Sequence, residues 1–160
     1  MKQKSKAYSF LTQTLIVLSL VFSFGCHKDT GEDEISTGGL IGKTYGGGII
    51  AYVDDTGEHG LIAAPEDEPG LYTWQEALDA CARKVLNGYS DWYLPDKEEM
   101  KILLENGRII GGFNYDSSPY YYWTSTETTH YLIAWGCGVS IAQINLPKNS
   151  SYQVRAVRTF

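Results

Sequence analysis

Two helix-start signals stand close together in the middle of this chain, and the segments on either side of them read as strand. Thr73-Trp74-Gln75-Glu76 puts a hydroxyl at an N-cap position and a carboxylate three residues on, the spacing at which cap and side chain satisfy each other's backbone N–H groups. Trp74, Ala77, Leu78, Cys81 and Val85 then recur at helical intervals, and Asn87-Gly88 supplies a stop. Pro95-Asp96-Lys97-Glu98-Glu99 repeats the device, with Met100, Leu103 and Leu104 as the apolar stripe and Asn106-Gly107 as the end. Upstream, the β-rich runs 49–53 and 60–64 flank Asp54-Asp55-Thr56-Gly57, an antiparallel hairpin signal. Gly46-Gly47-Gly48 is not a phosphate loop, because no Lys-Ser/Thr follows and no helix opens there. Downstream, residues 108–119 are loop-like, and 120–126, 131–137, 139–144 and 152–157 have the composition of strands in a meander. Strands, then helices, then strands argue an α+β fold with an antiparallel sheet, not a doubly wound parallel one.

The N-terminus follows a different logic. Lys2, Lys4 and Lys6 precede an apolar run at 15–24, shorter than the ~20 residues that a membrane-spanning helix needs. Residues 1–25 therefore read as a signal peptide. The run ends Ser23-Phe24-Gly25-Cys26, which is similar to a bacterial lipobox, although Ser23 stands where an aliphatic residue is usual. Cys26 is then the expected lipidation site, with acyl chains contributing ~0.8 kcal/mol per buried methylene. Residues 26–39, with Asp29, Glu32, Asp33 and Glu34, bury too little to order themselves and read as a flexible acidic tether. A globular domain over 40–160 remains. The chain's 43% hydrophobic and 13% aromatic content excludes wholesale disorder, and a net charge of −6 argues against a nucleic-acid partner. The expected partner is a membrane, reached through the lipid, in an outer-membrane lipoprotein that is periplasmic or surface-exposed.

Gly88-Tyr89-Ser90-Asp91-Trp92-Tyr93-Leu94-Pro95, followed by Asp96-Lys97-Glu98-Glu99, resembles the signature of the Lcl C-terminal domain family, to which the FISUMP paralogous domains are close. Tyr122-Trp123-Thr124-Ser125-Thr126, Val154-Arg155-Ala156-Val157-Arg158 and Gly57-Glu58-His59-Gly60-Leu61-Ile62-Ala63 fit the same pattern, so the resemblance covers about residues 45–160. It implies a C-type-lectin-like fold: two helices beside a small twisted antiparallel sheet, with N- and C-terminal strands adjacent. It also implies a surface or periplasmic location, and some relatives are glycan-binding adhesins. Many relatives place a second cysteine between the two closing arginines, where this chain has Ala156.

Read as side chains, the motif residues are mostly structural. Trp92 and Trp123 are expected in the core, Asp91 at a turn, and Arg155 and Arg158 in ion pairs with the acidic helices. Neither Glu-Pro-Asn nor Gln-Pro-Asp nor Trp-Asn-Asp occurs, so the oxygen set of a calcium-dependent sugar site is missing. Asp54-Asp55 with Glu58, and Glu66-Asp67-Glu68, read as solvated turns, and no metal or cofactor is assigned. A nucleophile–base pair could be drawn only from Cys81 with His59 or His130, and Cys81 falls on a buried helix face, where a thiol is inert. No catalysis is expected. Cys81 and Cys137 are either bridged, which would contribute ~4 kcal/mol on the chain-entropy estimate, or two buried free thiols. A ligand, if held, is expected on Asn114, Tyr115, Asp116, Tyr120, Tyr121, Tyr122 and Tyr131, which combine aromatic faces with hydrogen-bonding groups. The expected function is a surface-anchored module recognising a glycan or protein without calcium. The alternative is a structural envelope lipoprotein acting through partner subunits.

Overall fold

A computed structural model describes residues 39–115 and 118–160. The expected signal peptide, Cys26, all of the tether but Gly39, and Asp116 lie outside the described residues. The order of elements is β1 (Thr44–Tyr45), β2 (Gly48–Val53), β3 (Gly60–Ala63), α1 (Trp74–Ala82), α2 (Lys97–Glu105), α3 (Gly107–Ile110), β4 (Tyr121–Glu127), β5 (Ile133–Gly138), β6 (Gln143–Pro147) and β7 (Val157–Thr159). They form two antiparallel sheets, β1-β2-β3-β7 and β4-β5-β6, so the fold is α+β.

Both helices open as their sequences dictate. At α1 the Thr73 backbone N–H and hydroxyl each donate to Glu76 Oε2, at 2.9 and 2.7 Å. At α2 Asp96 Oδ1 accepts from the N–H groups of Glu98 and Glu99 at 2.8 Å, and Glu99 Oε2 accepts from Asp96 N–H. These contacts satisfy donors that a helix start otherwise leaves orphaned. The hairpin turn is equally local: Asp54 Oδ1 accepts from Thr56 N–H and hydroxyl and from Gly57 N–H.

The helix ends depart from expectation. Helix α1 stops at Ala82, and Val85 is 72% exposed rather than part of the buried stripe. Asn87-Gly88 is not the helix stop but the centre of a tight turn, in which Leu86 and Tyr89 exchange N–H···O bonds at 3.0 Å. Its φ values of 52° and 86° are both left-handed, which Asn and Gly tolerate. After α2, Gly107–Ile110 winds one further helical turn inside the segment expected to be loop. In the region expected as a strand over 139–144, the chain reverses instead: Gly138 N–H donates to Ala142 O at 2.8 Å, and Ile141 N–H to Gly138 O at 2.7 Å. Ile141 has a φ of 69°, against the preference of a β-branched residue.

The expected single meander is also corrected, since its last run leaves the second sheet. β7 pairs with β3 through Leu61↔Thr159, Ile62↔Arg158 and Ala63↔Val157. Strand β3 thereby becomes central and is buried on both faces. Ile62 enters a cluster with Trp74, Cys81, Trp92, Trp123 and Ala156, while Leu61 and Ala63 enter one with Met100, Leu103, Phe113, Tyr122 and Cys137. Adjacent residues of β4 divide in the same way, Tyr122 to one cluster and Trp123 to the other. Trp92 and Trp123 are core residues, and each indole N–H is satisfied, by Tyr89 O at 3.2 Å and Tyr72 O at 2.7 Å.

Candidate functional site

The loop between β3 and α1 runs along the closing segment that leads into β7. Ala64 N–H donates to Ala156 O, Glu68 N–H to Val154 O, and Tyr72 and Tyr152 exchange bonds at 2.9 and 3.0 Å. This ladder carries Asp67 onto Arg155, which is fully buried. Arg155 Nε donates to Asp67 Oδ1 at 2.7 Å, and Nη1 donates to Ala64 O at 2.8 Å and Gly111 O at 3.3 Å. The guanidinium carbon lies 4.1 Å from the centre of the Phe113 ring. Nη2 is buried without a hydrogen-bond partner. The other Asp67 oxygen accepts from the Tyr122 hydroxyl at 2.6 Å and from Asn114 N–H at 3.3 Å. Asn114 N–H also donates to the Tyr122 oxygen at 2.8 Å. Burial and the Asp67 carboxylate push the Tyr122 hydroxyl far above its ordinary value, so it remains a donor.

Over this network lies a cleft of about 370 Å³, lined by Asp67, Glu68, Gly70, Leu71, Asn114, Ser118, Pro119 and Gln153. Glu68 is engaged by Lys84, and Gln153 Nε2 donates to Pro119 O at 3.1 Å. The cleft holds polar groups on a scaffold whose own charges are already matched, an arrangement suited to orienting a ligand by hydrogen bonds.

The expected ligand residues do not form one patch. Asn114 lines the cleft. Tyr115, next to Asn114 in the chain, and Tyr120, next to the cleft residue Pro119, are exposed. The Tyr115 hydroxyl packs so closely on Gly107 that a Cβ there would lie 2.0 Å from it. Tyr122 is fully buried and reaches the cleft only through its hydroxyl's bonds. Tyr121 packs edge-on against Tyr152, at 5.8 Å between ring centres. Tyr131 lies past the opposite end of β4, 75% exposed and stacked on His130 at 5.3 Å. Asp116 lies outside the described residues.

Neither closing arginine pairs with a helix, contrary to expectation. Arg158 grips Asp91 with Nε and Nη2, both at 2.8 Å, donates to Gly46 O from Nη1, and lies 4.0 Å over the Tyr89 ring. The Arg158 hydrogen bonds hold the Asp91 carboxyl below the usual carboxylate range. Asp67, Leu71 and Gln153 were not among the expected site residues. The one signal that could have found Asp67 is an acid in a Pro-bounded loop facing an arginine within an apolar closing strand.

Cys81 and Cys137 are unbridged, each buried and each in a different core cluster. Burial pushes the Cys81 thiol up to about 12 and the Cys137 thiol up to about 11. Ala156 shares the cluster of Cys81. Among the described residues no group of three or more His, Cys, Asp or Glu side chains could hold a metal ion, and no helix is long and apolar enough to cross a membrane.

No curated protein matches the chain. The family model of the Lcl C-terminal domain matches residues 54–158, a span that takes in both arginine–aspartate pairs, the cleft and the two core tryptophans. With that span covering most of its length, the chain belongs to the Lcl C-terminal domain family.

Proposed function

We propose that this chain is an envelope-anchored recognition module that holds a glycan or protein ligand in the Asp67–Asn114 cleft and performs no reaction on it. The observation that carries this reading is the buried Arg155–Asp67–Tyr122–Asn114 network beneath the cleft. Such a network fixes a polar surface, as recognition requires. The thiols support a non-catalytic role, since at neutral pH neither is appreciably ionised. A C-type-lectin-like fold is part of this reading, supported by the two helices and by the adjacency of β3 and β7. So is lipidation at Cys26, with display of the domain in an outer-membrane lipoprotein. The alternative, a structural envelope lipoprotein acting through partner subunits, is favoured by one feature: Tyr131 and Leu132 are exposed side by side at the β4–β5 turn.

A glycan and surface-protein array with the purified full chain tests the first reading. Saturable binding is expected, unchanged by chelator, and weakened at least about tenfold by Asn114→Ala or Tyr120→Ala. Binding that those variants leave intact but Tyr131→Ala removes would move the function to the β4–β5 turn. Mass spectrometry of the mature N-terminus is expected to find diacylglycerol on Cys26.

A further inference from the structure

The two antiparallel sheets have four lateral edges, and three of them are closed or too short to use. The outer flank of β4 bonds to the closing segment: Trp123 N–H donates to Gln153 O at 2.9 Å and Gln153 N–H to Tyr121 O at 3.1 Å. The outer flank of β7 is taken by Tyr93, which exchanges bonds with Val157 at 2.8 and 2.9 Å. Strand β1 is two residues long, a poor template for a further strand. Strand β6 differs. Gly138 N–H donates to Ala142 O at 2.8 Å and Lys148 N–H to Leu132 O at 2.9 Å. The even-numbered residues between them therefore face β5, and the N–H and C=O groups of Gln143 and Asn145 point outward. Among the described residues, no strand or bridge pairs with that flank.

Proteins commonly blunt an open edge with charged side chains, and Gln143-Ile144-Asn145-Leu146 carries none. The edge stops at Pro147, which has no N–H and whose carbonyl accepts from Ser150 N–H at 3.0 Å. A cleft of about 600 Å³ opens there, lined by Leu132, Ile133 and Pro147 together with His130. Leu132 and its neighbour Tyr131 are both exposed beside it. Lys148, which also lines the cleft, is held by Glu127 and lies 3.9 Å over the Trp74 ring. A strand bonded to Asn145 and continued past Pro147 reaches this cleft within about two residues. Donors and acceptors at such spacing match another backbone, whose main-chain bonds supply affinity while a pocket for an alternate side chain supplies selectivity. A second copy of the chain would bring its own net charge of −6 against this one's, which favours a different protein as the occupant.

We infer that β6 is a docking edge for an extended segment of another protein, added antiparallel across Gln143 and Asn145 with an apolar side chain seated in the Leu132–Pro147 cleft. This cleft shares no lining residue with the Asp67–Asn114 cleft, so the failure of either reading leaves the other standing. The probe is a phage-displayed library of random heptapeptides, selected on the purified full chain, with the selected peptides then synthesised. Expected are β-prone sequences with an apolar residue towards one end. N-methylation at two alternate peptide residues should weaken binding at least about tenfold, and at the residue between them should change it little. Asn145→Pro removes one outward donor without touching the ladder and should cost a similar factor, while Leu132→Ser should erase the preference for the apolar residue. Amide exchange at Gln143 and Asn145 should be fast in the free chain and slowed at least about tenfold by saturating peptide, with Ile144 protected throughout. No selected peptide, equal binding whichever residue is N-methylated, or indifference to both substitutions would overturn the inference. Concentration-dependent dimerisation that slows exchange at Asn145 would overturn it too, by giving the edge to a second copy.

Discussion

Arg155 and Arg158 stand three residues apart in the closing segment, and each holds an aspartate contributed by a distant loop. Arg155 is fully buried and the side chain of its partner Asp67 is 16% exposed, whereas the Asp91 side chain facing Arg158 is 56% exposed. The buried pair recruits further groups: two backbone carbonyls, the Phe113 ring, the Tyr122 hydroxyl and the Asn114 N–H. Its outer partner pins the β1–β2 turn and the Tyr89 ring, and water can replace much of what it gives. Chemically alike ion pairs thus have different uses. Where water is excluded the pair organises a site; where water reaches, it fastens a loop.

The largest effect expected is for Arg155→Met, which leaves Asp67 with no cation in a confined setting. Such losses cost about 3 kcal/mol or more, and urea denaturation measures the shift. An equal loss for Arg158→Met would erase the contrast. Tyr122→Phe is intermediate. It removes a donor to Asp67 and an acceptor for Asn114 N–H, at about 1–2 kcal/mol, with faster amide hydrogen exchange at Asn114 than at Gly60. Asp91→Asn is the smallest, and pH identifies it. The Asp91 carboxyl is held below its ordinary value by Arg158, so its contribution is present above pH about 4 and fades as pH falls through the folded value. The difference between the unmodified chain and Asp91→Asn should therefore shrink in acid and in high salt. A difference that grew in acid would contradict the assigned pairing.

Sequence reading succeeds here where a structure is made by near neighbours. Both helix starts and the Asp54 turn need only residues within three positions of one another. Helix α1's C-terminus was misread because Asn87-Gly88 suits a helix stop and a two-residue turn equally well, and only the Leu86–Tyr89 pairing decides. Ile141 is β-branched and reads as strand, yet the reversal between β5 and β6 overrides that propensity. The site was less legible. Asp67 sits 88 positions from Arg155, and nothing local separates it from the solvated acidic turn that Glu66-Asp67-Glu68 suggests. The tyrosine-rich set shares a composition but not a place, because β4 turns Tyr122 inward and carries Tyr131 beyond its far end.

Strand β3 has β2 on one side and waits for β7 on the other. During synthesis that flank of β3 therefore stays uncovered until Val157–Thr159 has left the ribosome, long after β3 itself. The same late arrival brings Arg155 to Asp67 and Arg158 to Asp91. Assembly by such distant partners is intrinsically slow. Until it finishes, an uncovered flank invites strands from other molecules. A nascent chain stalled before Arg155 would have neither ion pair formed and that flank of β3 still open.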